Sequence, residues 1–452
     1  MGAPASFLYN DNNPADMAAL AEKITETLGR GTLPAEAVVA ACDRLSRRIA
    51  PEEHLPALLA LGLTEQRARD EIEIAQTLLS RGWLEARLRT EFPDGIAEET
   101  AFVPFASADG RQVRQRWAPL GVLLHIAAGN ADALPVFSVI EGLLTGNVNL
   151  LKFPGGGDAL SEAILSALIA EEPLLADQIY VFATPSDDIA GMKRLARLAD
   201  GIVVWGGDEA VRAVRALSDP DTRIIEWGHK ISFAYVSERG GAASDEALRG
   251  VARNICETQQ LYCNSCQGIF LDTEDDGEAA AFAERFLAIL EAEASRLPAP
   301  ADPFVQAQKT LELRTAELEA LAGAARVFRG AGVSVTLYGG GEGARLLPAI
   351  GYRNTWVRPL PRGRLLGALR PYKGHLQTAA LLCADAGAGA GGGTGAGSPP
   401  EPGDRETLER LLFAAGVVRI TDGASMSRAY CGEPHDGAFP LRLYARRLSV
   451  LG

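Results

Sequence analysis

The stretch PLGVLLHI, residues 119–126, contains the apolar run Val122 to Ile126 and is followed, after a helix-length spacer, by the run Val148 to Phe153. Three further apolar runs come next, each after a helix-length segment, at residues 179–182, 202–205 and 231–236. Strands that are apolar on both faces and alternate with helices are typical of a parallel sheet covered on both sides. This pattern predicts an α/β fold whose ligands bind at the carboxyl ends of the strands.

A second alternating block follows the first. Its strand-like runs lie at residues 268–271, 333–337 and 378–383, and a long helical stretch extends from Glu278 to about Leu321. Before the first block, residues 1 to about 100 show helical spacing of apolar residues, and we expect this region to cover another domain. Residues 384–404 are rich in Gly, Ala and Pro and predict a flexible insertion. The tail, at residues 417–420 and 441–451, is strand-like and suits an arm.

Composition excludes several classes of protein. The net charge is −14 and the pI is near 5.0, so the average surface repels a nucleic-acid backbone. No run of eighteen apolar residues and no export signal is evident, which predicts a cytoplasmic protein without a membrane span. The six cysteines are sparse for 452 residues, as expected in a reducing compartment.

Three of these cysteines, Cys256, Cys263 and Cys266, lie within eleven residues, immediately before the run at 268–271. They could supply a nucleophile, serve as small buried apolar residues, or form half of a zinc site. A structural zinc site needs about four ligands, and the sequence has no second Cys pair or paired His, so we predict no metal. The nucleophile and the core interpretation remain equally open at this point.

Several motifs resemble those of the aldehyde dehydrogenase superfamily. The Pro-Leu-Gly-Val strand leads to Asn130, the place of an active-site Asn, and the strand from Gly146 ends at Lys152, the place of a cofactor-binding Lys. Trp205, Gly206 and Gly207 are similar to a strand and Gly turn beside the dinucleotide. The segment Glu226-Trp227-Gly228-His229-Lys230 resembles the Glu-Leu-Gly-Gly-Lys signature. Cys263 follows Glu226 by 37 residues, which is close to the superfamily's usual separation. This spacing favours Cys263 over Cys266 and Cys256 as the nucleophile.

One branch, the acyl-CoA reductases that include the reductase of bacterial bioluminescence, is a closer match. Its Gln-Gln and Cys-x-Ser-x-Gln pattern resembles Gln259-Gln260 and the segment from Cys263 to Gln267, and its C-terminal His-Asp-Gly resembles the triplet that begins at His435. The likeness covers roughly residues 116 to 437. An extra residue between the Gln pair and Cys263 keeps Cys266 as a lesser candidate.

The resemblance implies two Rossmann-like α/β domains, an N-terminal helical region and a C-terminal arm. The expected segments are a helical region at 1–105, an NADP-binding domain at 106–228, a catalytic domain at 229–415 and an arm, suited to oligomerisation, at 416–452. A homo-oligomer, either a dimer or a tetramer, is expected.

The resemblance also implies a reaction. Cys263 would attack an acyl thioester, with acyl-CoA or an acyl carrier protein as donor, and the Asn130 amide would help to stabilise the oxyanion. Gly155 stands where NAD-preferring relatives carry a Glu, and the missing carboxylate favours NADPH. An acyl-transferring enzyme is a further expected partner.

Two roles and two other functions stay open. Glu226 is either the base that activates water or an acid paired with a neighbouring cation, and His435 is either a proton donor or a turn residue. His125 is predicted to be core. With Glu226 as base, the chain would instead oxidise an aldehyde to a carboxylic acid, and a non-catalytic nucleotide-binding scaffold is the third hypothesis.

Overall fold

The computed structural model describes most of the chain. The described residues are 8–9, 14–60, 65–95, 103–106, 108–127, 134–153, 159–237, 243–297, 303–321, 323, 325–339, 346, 351–383 and 404–451. The predicted Gly-rich insertion lies outside them, apart from its last residue, Asp404.

The strands, in chain order, are β1 Leu8–Tyr9, β2 Val103–Ala106, β3 Gln112–Pro119, β4 Val122–Ile126, β5 Val148–Lys152, β6 Ile179–Phe182, β7 Gly201–Trp205, β8 Arg223–Trp227, β9 Ile231–Val236, β10 Cys266–Leu271, β11 Ala325–Gly330, β12 Val333–Tyr338, β13 Asn354–Pro359, β14 Leu376–Leu382, β15 Arg419–Thr421 and β16 Ala445–Leu451.

The helices are α1 Pro14–Arg30, α2 Ala35–Arg48, α3 Pro51–Ala60, α4 Glu65–Leu79, α5 Arg81–Glu91, α6 Leu134–Leu144, α7 Ala159–Glu171, α8 Ile189–Ala196, α9 Asp208–Leu217, α10 Asp245–Thr258, α11 Asp276–Ala294, α12 Pro303–Leu321, α13 Arg362–Leu369, α14 Asp404–Ala415 and α15 Pro440–Leu443. Short 3₁₀ turns lie at Pro173–Asp177 and Arg370–Tyr372. None of these described helices is long and apolar enough to cross a membrane.

The chain divides into two compact units, residues 1–228 with 431–452 and residues 229–430. In the first unit, six parallel strands form a sheet in the order β1-β6-β5-β4-β7-β8, and β16, β3 and β2 form a separate antiparallel sheet. Helices cover both faces of the larger sheet: Leu150 packs with α1 and α8, and its neighbour Leu151 packs with α2 and α6. The finer four-segment division stays a prediction.

The Pro-Leu-Gly-Val motif holds the start of β4 in the first unit. Gly121 has a φ of 137° and lies so close to Asp200 that a Cβ there would stand 2.2 Å from the carboxylate oxygen. That carboxylate accepts a hydrogen bond of 2.8 Å from the backbone N–H of Val122. Asn147, from the Gly-Asn motif, is buried and accepts from the N–H of Gly121 at 2.9 Å. Both motifs therefore stabilise the sheet at the entrance to β4 and β5.

In the second unit, seven strands form a sheet in the order β11-β12-β13-β10-β9-β14-β15, parallel except where β11 meets β12. Every residue of β9 is buried, and alternate side chains face opposite layers: Phe233 and Tyr235 pack beside α13 and α14, whereas Ala234 and Val236 pack beside α10 and α11. This is the two-sided burial that the apolar runs predict.

Some predicted elements were wrong in extent. The long helical stretch from Glu278 is two helices, α11 and α12, because Pro298 and Pro300 interrupt the pattern between them and Pro303 suits the first position of the second helix. The strand-like tail from Leu441 begins with the short helix α15, and the strand itself starts at Ala445. Strand β13 was missed because polar residues, among them Arg358, interrupt its apolar run.

Candidate active site

In the second unit, the nucleophile candidate Cys263 lies in a tight turn immediately before β10. The N–H of Ser265 donates to the carbonyl of Tyr262 at 3.0 Å, and the Ser265 hydroxyl accepts from the N–H of Tyr262 at 3.0 Å. Cys263 occupies the second position of this turn and is exposed, whereas Ser265 is fully buried. The turn therefore exposes Cys263 at the surface, while its last residue, Ser265, is anchored in the core.

The backbone of Cys263 is fixed from below by a buried serine. The hydroxyl of Ser232, on β9, donates to the carbonyl oxygen of Cys263 at 2.6 Å and accepts from the N–H of Thr378, on β14, at 3.1 Å. Ser232 is fully buried. One hydroxyl thus joins the turn that carries Cys263 to two neighbouring strands of the sheet.

The Gln-Gln motif closes the loop between α10 and β10. Gln259 and Gln260 have φ values of 51° and 62°, in the left-handed region that non-glycine residues rarely adopt. The side chain of Gln260 donates to the carbonyl of Cys266 at 3.1 Å, and Gln267 donates to the carbonyl of Gln260 at 3.1 Å. The N–H of Tyr352, itself at a φ of 51°, donates to the carbonyl of Gln259 at 3.0 Å. The loop is therefore strained and held by its glutamine side chains.

The three clustered cysteines have different environments. Cys266 is fully buried at the start of β10, its thiol lies 3.4 Å from the carbonyl oxygen of Gly268, and burial raises its pKa to about 12. Burial likewise raises the pKa of Cys256 to about 11. Because the thiolate is the nucleophile, such buried thiols are poorly reactive near neutral pH. Of the three, only Cys263 is exposed, and its selection as nucleophile remains a proposal.

In the first unit, Lys152 lies at the carboxyl end of β5. Its side chain is buried, and its ammonium donates to the hydroxyl of Ser186 at 2.7 Å, beyond the end of the adjacent strand β6. Burial lowers the pKa of Lys152. A desolvated cation at this edge of a parallel sheet can bind an anionic or polyhydroxylated ligand.

An aromatic cluster follows β7 and β8, also in the first unit. Trp205 and Trp227 stack with centroids 5.5 Å apart, and the ring of His435 lies 5.4 Å from Trp205 and 4.8 Å from Trp227. Gly206 donates its N–H to the carbonyl of Trp227 at 3.2 Å, and Gly207 precedes helix α9 as its N-cap. The structure thus brings Trp205 and His435 together, which sequence distance alone does not indicate.

His435 also takes part in a local turn. The N–H of Ala438 donates to its carbonyl at 2.9 Å, and its Nε2 lies 3.8 Å from the carboxylate of Asp436. These contacts fit the turn-residue hypothesis and leave the proton-donor hypothesis untested.

Glu226, on β8, forms an ion pair with Arg215 of the adjacent helix α9. The Arg215 Nη2 lies 2.7 Å from one carboxylate oxygen of Glu226, and its Nε contacts the other, which makes the pair bidentate. The Glu226 side chain is 27% exposed. This is the cation-paired arrangement expected as one of the two alternatives.

His125 lies in the core, as predicted. It is fully buried on β4, with Nδ1 2.7 Å from the Ser138 hydroxyl and Nε2 3.0 Å from the side-chain oxygen of Asn149. Burial lowers its pKa to about 4, so the ring is neutral. Ser138 also accepts from the indole N–H of Trp205 at 3.1 Å, and this network therefore supports the aromatic cluster.

Two predicted site residues, Asn130 and Gly155, lie outside the described residues. Conversely, Ser232 and Ser186 were missed. Ser232 sits inside an apolar strand run, where a lone serine carries no functional signal. Ser186 follows a strand end, and only its position beside Lys152 reveals its relevance. Within the described part of the chain, no group of three His, Cys, Asp or Glu residues is arranged to hold a metal ion.

Comparison with known proteins bears on these observations. The sequence profile described as acyl-CoA reductase (LuxC) matches residues 33–447. Among curated relatives, the long-chain acyl-protein thioester reductase of Aliivibrio fischeri is 28% identical over 155 residues, which are 34% of this chain and 32% of that protein. The Photorhabdus luminescens protein of the same name is 25% identical over 214 residues, 46% of this chain and 43% of its own. The alignment to the first of these relatives thus spans about a third of that protein's length.

Solved structures show the fold. An NAD-dependent benzaldehyde dehydrogenase from Corynebacterium glutamicum has a TM-score of 0.65 at 15% identity, covering 100% of this chain and 90% of its own. Proline utilization A from Bradyrhizobium japonicum has a TM-score of 0.70 at 16% identity, covering 98% of this chain and 45% of its own. At this identity the likeness concerns architecture alone. The predicted aldehyde dehydrogenase-like α/β fold is confirmed.

Proposed function

The chain belongs to the acyl-CoA reductase (LuxC) family, and from that membership we propose that it reduces an acyl thioester to an aldehyde, with NADPH as the hydride donor and Cys263 as the nucleophile. The observation that carries the proposal is the exposure of Cys263 on a turn anchored by Ser232, beside two cysteines whose burial raises their pKa. Covalent acyl transfer needs a thiol that the substrate can reach and a backbone that holds this thiol in position.

The covalent steps conserve atoms and electrons as follows. The Cys263 thiolate attacks the acyl carbon of the donor, and the bond from that carbon to the donor sulfur breaks, releasing a thiol. A hydride from NADPH, which would leave as NADP⁺, together with one proton from solvent would convert the resulting thioester to a thiohemiacetal. Cleavage of its carbon–sulfur bond, with transfer of the hydroxyl proton to sulfur, would release the aldehyde and restore the Cys263 thiol. Negative charge develops on the acyl oxygen in both additions, where the Asn130 amide and the Cys263 backbone N–H are the proposed donors.

The described residues of the first unit fit a phosphorylated dinucleotide. Lys152 is a buried cation at the carboxyl edge of the parallel sheet, where such folds bind nucleotides. In the same sheet, β7 ends at Trp205 and is followed by Gly206 and Gly207. The two glycines lack side chains that would keep a ligand from the backbone. When bound, the reduced nicotinamide supplies the hydride. Lys152, Gly155, Trp205, Gly206 and Gly207 are the proposed holding residues.

The ion pair of Glu226 supports reduction rather than oxidation. A general base must accept a proton from water. The Glu226 carboxylate is already bound by the Arg215 guanidinium through both oxygens and is therefore less able to accept that proton. With Glu226 held by Arg215, hydrolysis of the acyl-enzyme to a carboxylic acid loses its proposed base. The thioester then persists for reduction.

The acyl donor is proposed to be acyl-CoA or an acyl carrier protein. The names of the curated relatives, acyl-protein thioester reductases, support a protein-bound donor. An acyl-transferring enzyme is then the proposed partner, and a homo-oligomer is the proposed assembly. Location in the cytoplasm remains part of the proposal.

The test is product analysis with the purified chain. With NADPH and a panel of acyl-CoAs, we expect stoichiometric release of thiol and formation of aldehyde. If neither product forms, while an aldehyde with NADP⁺ yields NADPH and acid without CoA, the protein is an aldehyde dehydrogenase. Saturable nucleotide binding without either reaction would instead favour the scaffold.

A further inference from the structure

The pair formed by Lys152 and Ser186 stands at the carboxyl ends of two adjacent parallel strands. Lys152 is the last residue of β5 and lies opposite Phe182, the last residue of β6; Ser186 follows four residues later. The ammonium nitrogen and the hydroxyl oxygen are 2.7 Å apart. Lys152 is 2% exposed, whereas Ser186 is exposed, so the hydroxyl lies on the solvent side of the buried cation.

The charge of Lys152 has no carboxylate partner among the described residues. Of the two acids that follow Ser186, Asp188 is engaged elsewhere: its carboxylate accepts from the N–H of Gly191 at 3.0 Å as the N-cap of α8 and lies 3.7 Å from Arg194. Asp187 is exposed. Burial lowers the pKa of Lys152, as expected for a cation without a counterion. An anionic ligand would supply the missing negative charge.

We propose that Ser186 is a specificity-determining residue that, together with Lys152, recognises the 2′-phosphate of NADPH. This inference rests on the proposed function and names a residue for its cofactor preference. The Ser186 oxygen accepts from the Lys152 ammonium, so the hydroxyl proton is available to donate to a phosphate oxygen. The remaining ammonium protons can donate to the same group, giving charge-assisted hydrogen bonds.

The residue type at position 186 also bears on NADH. A carboxylate here would pair with Lys152, repel a 2′-phosphate and accept hydrogen bonds from ribose hydroxyls, which is how NAD-preferring sites work. A hydroxyl carries no negative charge and therefore does not repel the 2′-phosphate. If Lys152 instead bound the ribose hydroxyls that both cofactors share and Ser186 only held it in place, loss of the Ser186 hydroxyl would weaken both cofactors alike.

The test measures equilibrium binding to the full chain without an acyl substrate. Dissociation constants are determined calorimetrically for NADP⁺ and NAD⁺, and for the fragments 2′,5′-ADP and 5′-AMP, which differ by the phosphate in question. The variants are Ser186→Ala, Ser186→Thr and Ser186→Asp. The matched control is Ser80→Ala, whose hydroxyl donates only to the carbonyl of Thr77 in its own turn.

We expect the wild type to prefer NADP⁺ and 2′,5′-ADP. Ser186→Ala should weaken both roughly tenfold, the effect of losing one hydrogen bond to a charged group, with NAD⁺ and 5′-AMP within about twofold. Ser186→Thr, which keeps a hydroxyl, and the control should match the wild type. Ser186→Asp should weaken NADP⁺ on the order of a hundredfold and leave NAD⁺ bound.

Three results would overturn the inference. They are equal wild-type affinities for the two dinucleotides, an equal loss of both in Ser186→Ala, and unchanged NADP⁺ binding in Ser186→Asp. Failure of the proposed function looks different: a folded wild type that binds none of the four probes has no dinucleotide site at all, and both proposals then fall together.

Discussion

The hydroxyl of Ser232 donates a hydrogen bond of 2.6 Å to the carbonyl oxygen of Cys263 while it accepts one from the N–H of Thr378. A single buried side chain thus orients the peptide unit that follows the proposed nucleophile. Since effective covalent catalysis depends on the position of the attacking atom, we expect Ser232 to act as a positioning residue for Cys263.

Replacing Ser232 with alanine is expected to slow acylation by about tenfold or more, because the turn that carries Cys263 loses its link to β9 and β14. The rate of thiol release in the first turnover measures this step. Ser232→Thr retains the hydroxyl and is the matched control. A Ser232→Ala variant that unfolds at a lower temperature yet acylates at the wild-type rate would show that the contact is only structural.

Alkylation should distinguish the three clustered cysteines of the second unit. We expect iodoacetamide to modify Cys263 rapidly near neutral pH and to leave Cys256 and Cys266 unmodified until the protein is unfolded, because burial raises the pKa values of both to about 11 and about 12. Peptide mapping at successive times gives the order. Early modification of Cys266 would contradict the assignment.

Glu226→Gln should leave the rate of aldehyde formation within about threefold of wild type. The carboxylate is paired with Arg215, and thioester reduction needs no water-activating base. Because the pair is exposed to solvent, its loss should change stability little. Arg215→Ala, which removes the same ion pair, should behave like Glu226→Gln, and Arg212→Ala, an exposed arginine of the same helix, is its control. Abolished turnover in Glu226→Gln would instead assign this residue a catalytic role.

The first unit contains a buried acid whose titration should be visible in stability. Glu91 is 1% exposed and accepts hydrogen bonds from the backbone N–H groups of Leu441, at 2.8 Å, and Arg442, at 3.3 Å. Arg87 lies 3.5 Å from it and 2.7 Å from Glu141. Burial raises the pKa of Glu91 from 4.5 to about 7, despite the nearby Arg87.

A raised acid pKa means that the folded state holds the proton more tightly than the unfolded state. The stabilisation is complete below about pH 4.5 and is lost as the pH rises through about 7. In the wild type, the free energy of unfolding should fall by at most roughly 3 kcal/mol over this range. Glu91→Gln should remove this fall. Denaturant titrations at several pH values measure it, with the partly exposed Glu85→Gln as control. An unchanged pH profile in Glu91→Gln contradicts the prediction.

The apolar runs predicted the central strands well, because strands buried on both faces leave continuous hydrophobic stretches in the sequence. Val122 to Ile126 and Ile231 to Val236 agree residue for residue with β4 and β9. Strand β13 escaped detection because Arg358 is buried within it, where its guanidinium lies over the ring of Tyr338. Such a contact depends on tertiary structure that no local pattern encodes.

The candidate site was predictable to a similar degree. Motif spacing and the Cys-x-Ser-x-Gln pattern favoured Cys263 over Cys266, and the burial of Cys266 at the start of β10 adds a physical reason for the same preference. No sequence pattern pointed to the serines at 186 and 232, because each forms its hydrogen bond with a partner remote in sequence, Lys152 in one case and Cys263 in the other.

Acylation of Cys263 can be measured as the mass of the intact protein after mixing with an acyl-CoA in the absence of NADPH, followed by peptide mapping. We predict one acyl adduct on Cys263 in the wild type and in Cys266→Ala, and none in Cys263→Ala. An adduct on Cys266, or one that persists in Cys263→Ala, would contradict this prediction.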